Sequence, residues 1–321
     1  MAAGGWLGLD VGGTKILGVV VDETGTVLAE GKVPTPAGGD AVLDAAAGLG
    51  AELQARSVPA AAAGAGIPGL VDRTGVLRVG PNLPGGAGVN FTEGLGRRLG
   101  VPVAVDNDAT CAAWGEFQLG AARGVSDAVV LTLGTGIGGG LIANGTLVRG
   151  GHGFGGEPGH MVVDPSGPAC PCGRRGCWER FGSGSGLGRL AREAAHAGLA
   201  ARVVELAGGD PEDVRGEQVT AAAAEGDEQA LAVLERFGWW IALGVANLVA
   251  ILDPEVVVLG GGLAAAAELV LAPTRRAFAE VVMGGEERGD VRIVGTVLGP
   301  RAGAVGAALL GRDRASDLAP G

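Results

Sequence analysis

Two stretches of this chain repeat one grammar: an apolar run, a glycine turn, a second apolar run and a polar return. Trp6 to Val11 reads as a strand, Gly12-Gly13-Thr14-Lys15 as a turn and Ile16 to Val21 as a second strand. Thr26 to Val33 follows as a third, after Asp22-Glu23-Thr24-Gly25. At mid-chain Ala128 to Leu133 is apolar, Gly134 to Gly139 is the turn, Gly140 to Ala143 is apolar again and Asn144-Gly145 is a hairpin signal. Even the returns match, Gly25-Thr26-Val27 against Gly145-Thr146-Leu147. The pattern predicts two copies of one architectural half. Each turn exposes backbone N–H groups with no side chain in the way, the kind of nest that cradles phosphate oxygens. The chain holds 64 glycines, so a single glycine motif carries little weight and placement must supply it.

That placement disfavours the two commonest nucleotide folds. A P-loop ends in Gly-Lys-Ser/Thr and opens a helix, whereas here Gly13-Thr14-Lys15 leads into a strand. No Gly-x-Gly-x-x-Gly lies between a strand and a helix, as a Rossmann fingerprint requires. Helices are expected over Ala41 to Gln54, Phe91 to Leu99, Ala109 to Gly120, Leu187 to His196, Asp227 to Leu252, Ala264 to Val282 and Gly303 to Leu310. Further strands are expected over Ala61 to Ile67, Gly75 to Val79, Pro102 to Val105, Glu255 to Leu259 and Val291 to Val297. Gly260-Gly261-Gly262 follows a buried strand and opens a helix, a place for a nucleotide's base, ribose or phosphate. The tail from Gly311 is expected to fray.

With 321 residues and 47% hydrophobic content, the chain has enough apolar material for a globular protein of two domains. A net charge of −11 argues against a nucleic-acid or anionic-membrane surface, although small anions can still bind locally. The first residues have no basic region followed by an apolar stretch, so no secretion signal is expected. Trp239 to Leu252 is shorter than the roughly 20 residues that span a bilayer and reads as a buried helix.

Three of the four cysteines lie in Cys170-Pro171-Cys172-Gly173-Arg174-Arg175-Gly176-Cys177, next to Trp178-Glu179. A tetrahedral zinc needs four soft or borderline ligands, and the nearest fourth is His160 in Gly156-Glu157-Pro158-Gly159-His160. The spacing predicts a closed structural Zn2+ site of His160, Cys170, Cys172 and Cys177, although Cys-x-Cys departs from the usual gap of two to four residues. Cys111 lies on an apolar helix face and reads as core. Thiols kept reduced for a metal point to a cytoplasmic location.

These motifs in order resemble the ROK family of sugar kinases and related repressors. The marks are Leu9 to Lys15, Gly66-Ile67-Pro68-Gly69, Pro81 to Gly85, Val105-Asp106-Asn107-Asp108-Ala109, Leu133 to Gly140, Gly156 to His160 and the cysteine run. The resemblance covers nearly the whole chain and implies an α/β, actin-like ATPase fold, ribonuclease H-like and hexokinase-type. In that fold two duplicated α/β domains flank a cleft. Its division here is expected as 1–108, completed by a C-terminal helix at about 303–321, and 109–302 with the zinc site.

The resemblance also implies ATP-dependent phosphorylation of a hexose at its 6-hydroxyl, with glucose leading, and a homo-oligomer, dimer or tetramer. A sugar hydroxyl is a poor nucleophile near neutral pH, so a carboxylate must accept its proton. Asp108 matches the family's catalytic aspartate, and Asp106 is the alternative base. Asn107 and Asn82 can donate and accept together, as a vicinal diol requires. Strict strand alternation would not present Asp106, Asn107 and Asp108 together, so the segment is expected to bend. Glu157, His160 and Glu179 resemble the family's remaining sugar contacts. Asp10 is expected to orient Mg2+ through water. Gly12, Gly13, Thr14, Thr135 and Gly136 are expected near the phosphates of ATP, Gly261 and Gly262 near the nucleotide, and Lys15 either on phosphate or in solvent. The alternatives are a kinase for N-acetylmannosamine, N-acetylglucosamine, mannose or fructose, polyphosphate as donor, or a sugar-sensing regulator. With about five residues ahead of the first strand, a preceding DNA-binding domain is not expected.

Overall fold

The fold is described by a computed structural model over residues 4–262 and 267–318. By mutual contacts the chain divides into two compact units. The first holds residues 1–124, 140–156 and 297–321, and the second holds residues 125–139 and 157–296.

The first unit is built on strands β1 (Gly5–Val11), β2 (Lys15–Val21), β3 (Val27–Pro34), β4 (Ala60–Ile67) and β7 (Val103–Asn107), in the order β3-β2-β1-β4-β7. The first three form an antiparallel meander, and β4 and β7 add on parallel to β1. A small hairpin of β5 (Leu70–Val71) and β6 (Leu77–Val79) projects after β4. Helices α1 (Gly39–Ala55) and α2 (Phe91–Leu99) cover one face, where Leu7, Leu9 and Ile16 meet Leu43, Leu53, Phe91 and Leu95. The opposite face packs Val19 and Val21 against Val305, Ala308 and Leu309 of α10 (Ala302–Leu318). Glycines allow that contact to be very close: a Cβ on Gly8 or Gly64 would overlap the carbonyl oxygens of Ala304 and Ala307. Helix α3 (Asp108–Leu119) crosses α10 in the same manner, Gly115 against Ala302 and Gly306 against Cys111. This packing keeps α3 with the first unit, whose first stretch runs to Gly124.

The second sheet is β10-β9-β8-β11-β12, formed by β8 (Ala128–Leu133), β9 (Ile137–Ala143), β10 (Thr146–Leu147), β11 (Val256–Gly260) and β12 (Arg292–Gly295). Strand β11 runs parallel to both β8 and β12, and β9 pairs antiparallel with β10. The order therefore repeats that of the first sheet, as the paired turns predict. The second unit holds β8, β11 and β12 with helices α4 (Glu179–Gly182), α5 (Gly184–His196), α6 (Ala201–Leu206), α7 (Gly216–Ala224), α8 (Glu228–Leu252) and α9 (Ala267–Val281), whereas β10 lies in the first. Helix α8 is long and apolar enough to cross a membrane by length and composition, yet Phe237, Ile241, Val245 and Val249 along it are fully buried.

Several expectations shift. Strand β9 starts inside the expected glycine turn, at Ile137, and α9 ends at Val281, one residue before the expected Val282. Residues 263–266, where that helix was expected to begin, lie outside the described residues. The C-terminal helix does not fray at Gly311 but runs to Leu318. Trp114 Nε1 donates to Asp313 Oδ2 at 2.9 Å, and Arg314 reaches Asp106, so the last turns are tied to α3 and β7.

Candidate active site

In the first unit the turn after β1 is pinned from both sides. Gly12 N donates to Lys15 O at 2.9 Å, and the Thr35 hydroxyl donates to Gly12 O at 2.7 Å. Gly13, Thr14 and Lys15 are left exposed. Asn82 is brought to the same place: a Cβ on Gly13 would lie 2.9 Å from its carbonyl oxygen.

The Asp106-Asn107-Asp108 segment bends as expected, because the strand ends and a helix begins within it. Asn107 is extended, with φ −62° and ψ 146°, and is the N-cap of α3. Its Oδ1 accepts from Thr110 N at 3.0 Å and its Nδ2 donates to Gly69 O at 3.1 Å, which gives the Gly66 to Gly69 motif a positioning role. Gly66 lies beneath Asp108, where a Cβ would come within 3.0 Å of the Asp108 Cα. Asp108 therefore occupies the first turn of a helix, while Asp106 faces other partners. Asp106 is 1% exposed. Its Oδ2 lies 2.6 Å from Arg149 Nε and 3.5 Å from Arg314 Nη2.

Two carboxyls here are perturbed. Burial pushes Asp108 above the usual carboxylate range, against the opposing Ala109 amide. Burial, and then the Asp108 charge, push Asp10 up to about 7, with Lys15 pulling the other way. Two acids whose charges oppose each other in a desolvated spot suit one proton acceptor and one cation-orienting group. Gly303, in the first turn of α10, abuts the Asp10 carboxylate and was not foreseen from sequence.

In the second unit the β8–β9 turn leaves Thr135 exposed. Gly134 O accepts from Gly184 N at 2.8 Å, which ties the turn to the start of α5. Gly261 has φ +89°, and its Cβ would lie 2.7 Å from Leu133 backbone atoms, so only glycine fits there. Gly261 and the turn carrying Thr135 and Gly136 are thus neighbours. Gly262 is exposed, with open space around it.

The predicted metal ligands converge. One donor atom from each of His160, Cys170, Cys172 and Cys177 lies within 4.8 Å of all the others. Cys172 Sγ and Cys177 Sγ are 3.5 Å apart, and His160 Nδ1 is 3.9 Å from Cys170 Sγ. A tetrahedral zinc with bonds of about 2.3 Å to sulfur holds its ligands roughly 3.8 Å apart, so the donor set fits. Left-handed Gly173 and Gly176, with φ +90° and +67°, turn the chain back on itself between Cys172 and Cys177. Burial acts to raise the Cys172 thiol, but the Arg174 amide and the Cys170 thiol outweigh it and bring it down to about 6. One thiolate is therefore available near neutral pH. Fully buried Trp178 anchors the loop, its Nε1 donating to Trp240 O at 2.7 Å.

Glu179 follows directly. Its Oε1 lies 3.0 Å from Cys170 Sγ and 3.9 Å from His160 Nδ1, and its Oε2 would be 2.5 Å from a Cβ on Gly136. Glu157 precedes the short helical turn Pro158–His160 and accepts from His160 N through its carbonyl. The cluster, Glu179 and the β8–β9 turn are therefore one contiguous arrangement within the second unit.

The ROK family model matches residues 6–314. The glucokinase of Streptomyces coelicolor is 38% identical over 312 residues, covering 96% of this chain and 97% of that protein. The N-acetylmannosamine kinase of Escherichia coli O157:H7 is 34% identical, covering 91% and 97%. Among solved structures, a ROK family glucokinase from Streptomyces griseus in complex with glucose and AMPPNP superposes with a TM-score of 0.86 at 38% identity. It covers 97% of this chain and 100% of that one. The paired sheets, the ordered motifs and these matches agree: the chain belongs to the ROK family and has its actin-like ATPase fold.

Proposed function

We propose that this protein transfers the terminal phosphoryl group of ATP to the 6-hydroxyl of glucose, giving glucose 6-phosphate. The observation that carries the reading is the helix-start placement of Asp108, desolvated above Gly66, with its charge pushing up the Asp10 carboxyl. Glucokinases aligned along almost the whole chain support it.

Asp108 accepts the hydroxyl proton as the bond to phosphorus forms, since a carboxylate raised above its usual range is a stronger base at neutral pH. Asn107, whose Oδ1 and Nδ2 are engaged by Thr110 and Gly69 and whose side chain also hydrogen-bonds Asp108, keeps an Oδ1 lone pair for a sugar hydroxyl. Asn82 is a further contact. Glu157, His160 and Glu179 are proposed as the other sugar contacts. Nδ1 of His160 faces the cysteines, which leaves Nε2 for a hydroxyl. Gly12, Gly13 and Thr14 receive phosphate oxygens on backbone N–H groups, with Lys15 as added positive charge. Thr135, Gly136, Gly261 and Gly262 are proposed to serve the nucleotide.

Asp10 orients Mg2+, which when bound neutralises charge on the phosphate oxygens. His160, Cys170, Cys172 and Cys177 would hold a structural Zn2+, which when bound would fix the ring of His160 and the start of α4. A cytoplasmic location and a homo-oligomer, dimer or tetramer, belong to the same proposal.

The test is a panel of hexoses and hexosamines against ATP and polyphosphate, read as phosphorylated product. Glucose with ATP should give the highest kcat/KM. N-acetylmannosamine is the second reading, favoured by the 34% identical kinase for that sugar. No product with any sugar would leave a sugar-sensing regulator.

A further inference from the structure

The first unit contains a cavity of about 640 Å³ lined by Arg73, Thr74, Trp114, Leu147, Arg149 and Arg314, among others. None of the residues assigned above to sugar, nucleotide or metal lines it. Its charge runs against that of the chain, which carries −11. Arg149 and Arg314 share a single carboxylate, Asp106. Asp313, also in the lining, is already engaged by Arg312 at 2.7 Å and by Trp114. Arg73 adds a third guanidinium, held by the carbonyl of Gly150.

Arg149 is the least satisfied of the three. Its Nε lies 2.6 Å from Asp106 Oδ2, but the N–H does not point at that oxygen, and Nε and Nη2 are both buried without a hydrogen-bond partner. Buried guanidinium donors left unpaired are costly, and an oxyanion is what they fit. Burial, followed by the nearby Arg149 charge, draws Arg314 below its ordinary range, the mark of two like charges crowded together.

We propose that this cavity binds a small phosphorylated metabolite. The phosphate sits between Arg149 and Arg314 with Arg73 at the rim, and the body of the ligand lies against Trp114 and Leu147. Three guanidiniums set against the one carboxylate that no other cation balances leave two charges, which a phosphate monoester dianion matches and a single carboxylate does not. The space exceeds a bare phosphate and suits a body of a few carbons.

Calorimetric titrations of inorganic phosphate and of glycerol 3-phosphate test this, with the protein saturated in glucose and a non-hydrolysable ATP analogue to occupy the phosphate turns. The expected result is binding of one molecule per chain, tighter for glycerol 3-phosphate. It should weaken about tenfold or more in Arg314→Gln and in Arg73→Ala. Arg73 is exposed, so its variant reports even if losing Arg314 disturbs the fold. Absence of binding at millimolar concentration would overturn the proposal, as would unchanged affinity in Arg73→Ala. Equal affinity for the two probes would overturn the assignment of a metabolite body.

Discussion

Gly303 touches the Asp10 carboxylate: a Cβ built on it would lie 2.6 Å from Oδ2 and 2.8 Å from Cγ. Gly303→Ala must therefore shift either Asp10 or the start of α10. Overpacking of this kind costs about 1–3 kcal/mol of stability. If Asp10 orients magnesium, kcat should fall about tenfold or more and the half-saturating Mg2+ concentration should rise, with the KM for glucose little changed. Kinetics at several Mg2+ concentrations would show this. A wild-type magnesium dependence would reject the role given to Asp10.

Asp108→Asn keeps the helix start and removes the proton acceptor. Turnover is expected to fall by about 10²–10⁴-fold, the range for loss of a general base. Glucose binding, followed by intrinsic tryptophan fluorescence, should remain near normal. Near-normal turnover would move the base elsewhere.

Both perturbed carboxyls also bear on pH. Asp10 titrates at about 7 in the folded protein against 3.8 ordinarily, so between those values the folded state holds more protons than the unfolded state. Stability in the absence of Mg2+ should therefore fall as pH rises from about 4 to about 7, and Asp108 acts in the same direction. Asp10→Asn should flatten this part of the curve, as read by denaturant titration at several pH values. On the activity side, the acid limb of the kcat profile should lie above the ordinary carboxylate range and vanish in Asp108→Asn.

Cys172 is exposed, so replacing it tests the metal site with little disturbance of the core. Cys172→Ser should lower zinc below one per chain by elemental analysis. It should raise the KM for glucose about tenfold through a loosened His160 and lower Tm by several degrees. One zinc per chain retained in the variant would exclude Cys172 from the ligand set.

The parts of the site that were legible in the sequence are those where one short segment contains the whole signal. The paired turns, the cysteine run and the bend before Asp108 are of this kind. Asn107 as an N-cap is local chemistry, fixed by a bond to Thr110 three residues on. What stayed hidden depends on chain that is distant in sequence. Gly303 matters only because α10 returns to the end of β1, and Arg314 meets Asp106 across 208 positions. Gly8, Gly64 and Gly306 look like compositional bias until the helix they admit is in place. The same limit applied to Gly311: nothing local to the tail announces the contacts with Trp114 and Asp106 that keep it helical.

The lodging of α10 on the first sheet has a consequence for synthesis. Residues 302–318 fill one face of a sheet whose first strand is made near residue 5. While the ribosome is still translating the second unit, that face, with Val19 and Val21, has no cover from its own helix. The first unit can then be only half-built, its closing step waiting until residues 302–318 have been made. Contacts this remote in sequence are slow to form. A nascent chain halted before residue 302 should be cut readily by protease within residues 1–124, whereas a chain that includes residues 302–318 should resist.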